Sequence, residues 1–285
     1  MSILSVVESR TNANFAAPRP FIKWAGGKRQ LIDEIISSFP ANYGRYFEPF
    51  IGGGALFFAI QPDNAYISDI NPELVNLYNV VKNDVNSLIK DLGRYKNTED
   101  DFYKVRNLDR KSSYKKYSKI RKASRFMFLN KTCYNGLYRT NSEGHFNVPF
   151  GFYKSPNIID KQNLELCSEL LKKTEIVLAT FLAIENKIKT GDFVYFDPPY
   201  MPISKTSSFT KYYKDDFDVD AQFELKELCD RLTRKGVYFM LSNSHSELIL
   251  NLYKQYNIKK IRAIRAINCK AAKRGAIDEL IITNY

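Results

Sequence analysis

The sequence predicts an α/β protein in which a parallel-dominated sheet is interrupted by a basic, helical insertion. Three observations carry that prediction. Short apolar runs rich in β-branched and aromatic residues alternate with helical patterns at both ends of the 285-residue chain, as a sheet with crossover helices requires. Between them, from about Pro72 to Asp160, helical and loop patterns occur with little strand signal. That middle stretch also holds most of the net charge of +12, with 17 Lys and Arg against 8 Asp and Glu between Pro72 and Pro156. The length favours two domains or one with a large insertion, and the division predicted is 1–71 with 160–285 for the sheet and 72–159 for the helical part.

Taken in order, the helical pattern KRQLIDEIISSF (28–39) precedes a strand in RYFEPFI (45–51), a short helix in ALFFAI (55–60) and a strand in AYISDI (65–70). Asn71 followed by Pro72 is a helix start signal. It opens PELVNLYNVVKNDVNSLIKDLG, which is followed by helices in EDDFYKVRNLDR (99–110) and YSKIRKASRFMFLNKT (117–132). Strands return in EIVLAT (175–180), DFVYFDP (192–198), VYFMLSN (237–243), IKKIRAIRA (258–266) and DELIITNY (278–285). The patterns VDAQFELKELCDRLTRKG (219–236) and HSELILNLYKQY (245–256) lie between strands and read as crossover helices.

Hydrophobic residues at 44% and charged residues at 26% are an ordinary globular balance. The first twenty residues lack a basic start and a long apolar stretch, and no segment approaches membrane-spanning length, so a cytoplasmic location and no membrane partner are expected. Four scattered cysteines without CxxC spacing, and His145 and His245 alone, support neither a zinc site nor a disulfide frame. Two acid-free basic runs, Lys111 to Arg125 and Lys259 to Gly275, fit either a solvated face or a nucleic-acid contact. In the first, interleaved tyrosines could flank phosphates or bases.

The strand RYFEPFI runs into Phe47, Glu48, Pro49, Phe50, Ile51, Gly52, Gly53 and Gly54. Glycines at a strand-to-helix turn let backbone approach a ligand and leave helix N–H groups facing it. The fuller dinucleotide fingerprint is absent, so a plain structural turn reads the same way. The next strand ends in Asp69, where a carboxylate can accept hydrogen bonds from ribose hydroxyls. No Walker lysine follows the glycines, so a nucleoside without a triphosphate suits the pocket better than ATP. At the carboxyl end of DFVYF stand Asp197, Pro198, Pro199 and Tyr200, where two prolines rigidify the turn. The Asp197 carboxylate and the Pro198 carbonyl can accept the hydrogens of a nucleobase amine and orient its delocalised lone pair toward an electrophile. Tyr200 can stack on the base, which must leave a duplex to be reached. Alone, these four residues also describe a rigid turn with an N-cap aspartate.

With FIKWAGGKRQL (21–31), FEPFIGGG, SDINPEL, NKTCYNGLYRTN, FNVPFGFYK, GDFVYFDPPYMPIS and IDELIITNY in this order over nearly the whole chain, the sequence resembles the Dam-type (D12 class) DNA adenine methyltransferases. That family includes GATC-specific restriction-modification methylases. The resemblance implies a Rossmann-like methyltransferase sheet with an inserted helical target-recognition domain. It implies S-adenosylmethionine as methyl donor, no metal, double-stranded DNA as partner, and direct transfer to the exocyclic amine of adenine, with GATC the favoured site.

Position by position, it implies cofactor contacts at Trp24, Lys28, Phe50, Gly52, Asp69 and Asp197 and a catalytic motif at Asp197, Pro198, Pro199 and Tyr200. DNA contacts are implied at Lys23, Tyr134, Asn135, Leu137, Arg139, Pro149 and Tyr153. Arg139 suits bidentate reading of guanine or a phosphate, Tyr134 intrusion or stacking, and Asn135 a base edge or backbone. Tyr134, Asn135 and Gly136 alone would equally be a turn, and Trp24 alone ordinary core. The chain departs from the enteric members, whose loop reads GRYK, by placing Phe152 where they carry arginine; the contact of that arginine is missing, so recognition is compensated elsewhere or the target differs. The rival readings are an exocyclic amine of cytosine, RNA or a protein amide as acceptor, and a DNA-binding module without methyl transfer. A separately acting restriction endonuclease is one setting for the chemistry, and a monomer or weak dimer the expected state.

Overall fold

The computed structural model describes residues 17–28, 30–200, 217–264 and 276–285. Its strands are β1 (Tyr46–Glu48), β2 (Ala65–Asp69), β3 (Thr174–Leu178), β4 (Phe193–Phe196), β5 (Tyr238–Ser244), β6 (Asn257–Ile264) and β7 (Ala276–Thr283). They form one sheet in the order β3-β2-β1-β4-β5-β7-β6. The first five are parallel neighbours, whereas β7 runs antiparallel to both β5 and β6. This mixed α/β sheet is consistent with a methyltransferase fold.

Both faces of the sheet are covered, which is why the central strands read as continuous apolar runs rather than alternating ones. On β4 the side chains of Phe193 and Tyr195 enter one core cluster and those of Val194 and Phe196 the other, as the two-residue period of a strand demands. Register follows from this, with Tyr46 of β1 paired to Ala65 on one side and Phe193 on the other. A slip by one residue would exchange the faces of all these side chains.

Helices are α1 (Ile32–Ser37), α2 (Ala55–Ile60), α3 (Pro72–Leu92), α4 (Glu99–Arg106), α5 (Lys119–Thr132), α6 (Lys161–Leu171), α7 (Val219–Arg234) and α8 (Glu247–Leu252). Most of their starts are fixed by a capping side chain. Asn71 accepts from the backbone N–H groups of Glu73 and Leu74, Ser118 from Arg121, Asp160 from Asn163, Asp218 from Ala221 and Ser246 from Ile249. Each such cap contributes about 1 kcal/mol. Helix α3 breaks at Asp84, whose backbone is non-helical (φ −153°, ψ 53°). The helix packs against β2 and β3, and most of its buried residues join α5 and the sheet in one continuous cluster.

All seven expected strands are present. Helix α6 is an element the sequence reading lacks, although Leu164, Cys167 and Leu171 are buried at helical spacing. Within the expected helix at 28–39 the structure describes a helix at Ile32–Ser37, while the Lys28 side chain is drawn into the site described below. The expected strand at 258–266 is described to Ile264, and the rest of the second basic run, 265–275, lies outside the described residues. Cys133, Cys167 and Cys229 are buried free thiols, and Cys269 lies outside the described residues. Among the described residues no helix is long and apolar enough to cross a membrane.

Candidate active site

Strand order reverses at β1, which lies between β2 and β4, and ligands of open α/β sheets bind outside the strand ends at such a point. Three carboxylates stand there: Glu48 ends β1, Asp69 ends β2, and Asp197 follows β4. Asp197 accepts the Lys28 ammonium at 2.7 Å, with side-chain exposures of 20% and 5% respectively. Burial raises the Asp197 carboxyl above its ordinary range, Lys28 opposes the rise, and Glu279 adds to it. Lys28 also donates to the Gly26 carbonyl at 3.0 Å and lies over the Tyr200 ring, 4.6 Å from its centroid. The Tyr200 hydroxyl donates to Glu279 on β7 at 2.7 Å. Tyr200 is therefore held from two sides, and Asp197 by Lys28. Pro198 is buried and Pro199 exposed, as expected of a turn whose first half closes the sheet edge.

Next to this corner is the glycine loop. Asp69 accepts the backbone N–H of Gly52 at 3.2 Å and of Asn71 at 2.9 Å; burial raises its carboxyl and these backbone donors lower it. Gly52 has φ +46°, and a Cβ on it would stand 2.7 Å from Cδ1 of Trp24, so the indole lies against backbone where only glycine fits. Phe50 stacks on Phe181 (centroids 5.5 Å, 24°) and meets Phe217 edge-on at 5.5 Å. The structure thus places Trp24, Phe50, Gly52 and Asp69 around the ends of β1 and β2, with Lys28 and Asp197 paired at β4.

The residues expected to read DNA form a second group. The backbone N–H of Tyr134 donates to the Pro149 carbonyl at 2.9 Å and that of Gly151 to Thr132 at 2.8 Å, which ties the 132–137 turn to 149–153. Asn135 sits in the left-handed region (φ 55°), a conformation that asparagine tolerates. Lys23 lies over the Tyr153 ring at 4.6 Å. Tyr134 and Leu137 are exposed, and Phe152 is 69% exposed with φ 52°. Arg139 begins the adjoining hairpin, its Nε donating to Asn147 at 2.7 Å. The first basic run divides in two. Lys111, Lys115, Lys116 and Lys119 are exposed, but Arg125 is fully buried and paired with Asp109 at 2.7 Å. Arg125 is therefore an internal brace, not a phosphate contact.

Four residues with a part in these groups escape sequence reasoning. Glu48 is buried behind Asp197 and accepts the Tyr46 hydroxyl at 2.7 Å. Phe181 flanks Phe50, Glu279 anchors Tyr200, and Asn130 bridges Lys23 and Gly136. The available signal was faint: Glu48 lies inside FEPFIGGG, Glu279 inside IDELIITNY and Asn130 at the head of NKTCYNGLYRTN. Among the described residues no group of three or more His, Cys, Asp and Glu is placed to hold a metal ion.

Comparison with known proteins identifies the family. The chain is 45% identical over 271 residues to the Type II methyltransferase M1.LlaDCHI of Lactococcus lactis subsp. cremoris, covering 94% of this chain and 95% of the relative. It is 44% identical over 287 residues to the Type II methyltransferase M.MjaIII of Methanocaldococcus jannaschii, covering 94% and 99%. Against the DNA adenine methylase of Escherichia coli (strain K12) it is 31% identical over 263 residues, covering 92% and 94%. Residues 24–267 match the model of a single family, so the chain belongs to the D12 class N6 adenine-specific DNA methyltransferases.

Proposed function

We propose that this adenine methyltransferase holds its methyl donor against Trp24, Lys28, Phe50, Gly52 and Asp69, and its target amine at Asp197, Pro198, Pro199 and Tyr200. The family implies S-adenosylmethionine, and the residues present fit it: a buried ammonium suits a carboxylate, Asp69 suits ribose hydroxyls, and the aromatic cluster of Phe50, Phe181 and Phe217 offers apolar packing to a purine. When bound, that donor supplies a methyl group on a positively charged sulfur. The chain's own part is positioning. Asp197 accepts a hydrogen of the adenine amine and turns its lone pair outward. Tyr200, held by Glu279 and Lys28, offers a ring face to the base. Orientation of this kind is worth up to about 7–11 kcal/mol in favourable cases.

The DNA reading assigns Lys23, Tyr134, Asn135, Leu137, Arg139, Pro149 and Tyr153 to double-stranded DNA, with residues 72–159 as the target-recognition part. GATC is the favoured site, and Phe152 is the position at which the target could diverge. Relatives named Type II methyltransferase favour a restriction-modification setting with a separately acting endonuclease.

The observation that carries the proposal is the Lys28–Asp197–Tyr200–Glu279 corner at the reversal of the strand order. Asp197→Ala is expected to lower methyl incorporation into duplex DNA by at least about 10²-fold while DNA affinity is kept. Radiolabel transfer and mass spectrometry of the nucleosides measure the first, and fluorescence anisotropy the second. Wild-type turnover by this variant would remove Asp197 from the mechanism. Digestion of treated DNA with nucleases of differing methylation sensitivity tests GATC.

A further inference from the structure

Asn130 of α5 touches both halves of the machinery. Its side chain is 1% exposed. Its Oδ1 accepts the backbone N–H of Lys23 at 2.9 Å, and its Nδ2 donates to the carbonyls of Lys23 at 2.8 Å and Gly136 at 3.0 Å. Both amide hydrogens and the oxygen are therefore used. Shifting either segment would strand a buried polar group, which is the costly outcome for a hydrogen-bonding side chain.

The joined segments belong to different tasks. Lys23, itself assigned to DNA, immediately precedes Trp24 and lies five residues before Lys28, so its segment continues directly into the proposed donor contacts. Gly136 closes the turn that presents Tyr134 and Asn135. The joint is also tight in shape: Gly136 has φ +64°, and a Cβ on it would lie 2.4 Å from Cδ of Lys23 and 2.6 Å from its Cβ. A second contact runs alongside, with Trp24 stacked on Tyr138 at 5.7 Å and 19°. One packed path thus leads from the glycine loop through Trp24 and Lys23 to Asn130 and the turn.

We propose that Asn130 is a positioning residue that couples donor binding to DNA reading. Fixing residues 21–28 around the methyl donor fixes the 134–137 turn for the duplex, and the converse holds with equal size because linkage is reciprocal. The inference rests on the donor and DNA contacts proposed above.

Trp24 is the single tryptophan of the chain, so its emission reports on this path in the unaltered enzyme. The duplex identified as substrate by the methylation assay is titrated with and without S-adenosylhomocysteine, a non-reacting analogue of the donor. The expected result is roughly tenfold tighter DNA binding with the analogue, and a change in Trp24 emission on adding DNA alone. Asn130→Ser is expected to melt at a lower temperature but still cooperatively, and in the folded variant the ratio of DNA affinities with and without the analogue falls toward one. Tyr138→Leu removes the stacking contact on Trp24 that runs alongside and serves if Asn130→Ser does not fold. A ratio of one in the wild type, or a wild-type ratio in the folded variant, overturns the proposal. The underlying reading fails separately, if Lys28→Ala leaves S-adenosylhomocysteine affinity unchanged.

Discussion

A carboxylate 2.7 Å from a buried ammonium is already oriented before any substrate arrives, and Tyr200 is constrained in the same way by Lys28 on its ring and Glu279 at its hydroxyl. Because Tyr200→Phe and Glu279→Gln weaken or remove one and the same hydrogen bond, their effects should overlap. A hydrogen bond to a charged acceptor contributes about 1.5–3 kcal/mol, so each variant is expected to lose roughly ten- to a hundredfold in kcat. The double variant should be little worse than either single one. Multiplying losses in steady-state assays would show that Glu279 does not act through Tyr200.

Glu48 makes a different prediction at the same scale. Burial pushes its carboxyl from 4.5 to about 8; the Tyr46 hydroxyl opposes that rise, Asp197 adds to it, and the Phe57 backbone N–H opposes it. Between those two pH values the folded chain keeps a proton that the unfolded chain has released. The resulting stability is fully present below pH 4.5 and is lost as pH rises through about 8. Glu48→Gln cannot ionise, so its stability relative to wild type should climb across that window, by a few kcal/mol in order of magnitude. Thermal melts from pH 5 to pH 9 check this, and parallel curves for the two proteins would contradict it.

Among the elements, the hairpin that carries Arg139 hangs from buried charge. Asp109 pairs with Arg125 at 2.7 Å and with Arg110 at 2.8 Å, and accepts the backbone N–H of Phe146 at 2.8 Å. Arg110 donates to the Phe146 carbonyl at 3.0 Å. Burial would lower the Arg125 guanidinium, but Glu73, Tyr114 and Asp109 more than compensate, so it stays charged. Asp109→Ala leaves that charge with Glu73 at 3.5 Å as its remaining carboxylate partner. Breaking a buried pair in this way costs about 3–5 kcal/mol. Urea denaturation should show a loss of that order, and at low temperature the folded variant should discriminate poorly among DNA sites while binding S-adenosylhomocysteine normally. Unchanged stability would mean that the pair is not bearing the hairpin.

The same element shows where a sequence stops being legible. A two-residue apolar period and a run of basic residues are local, so the strands and the basic stretch can be read directly. Whether Arg125 faces phosphate or the interior depends on Asp109 and Glu73, which tertiary packing brings to it. Glu279 meets Tyr200 across 79 positions and Asn130 meets Lys23 across 107, separations at which no local pattern exists. The antiparallel course of β7 is equally silent, because a buried strand has the same composition in either direction. The motif Asp197 to Tyr200 was readable because its four residues are consecutive, whereas its pairing with Lys28 and Glu279 is made only by the fold.

For the whole molecule the question is what the surplus of positive charge does once internal braces are set aside. Lys111, Lys115, Lys116 and Lys119 are exposed and make no ion pair among those of the described residues. They flank the start of α5, the helix whose far end carries Asn130. Lysines of this kind bind phosphate without reading bases, and each phosphate neutralised adds about 0.9 to the slope of log affinity against log salt. Replacing all four by glutamine should therefore weaken binding to every duplex by a similar factor and lower that slope by up to about 3–4, leaving the ratio between target and non-target sites unchanged. Arg139→Ala is the contrasting case, with a slope change near about 1 or less and a loss of site discrimination of about 1–3 kcal/mol. Anisotropy titrations over a range of salt on two duplexes separate the two patterns. If the quadruple variant keeps the wild-type slope, the lysines form a solvated face, and the charge that draws the enzyme to DNA lies elsewhere on the chain.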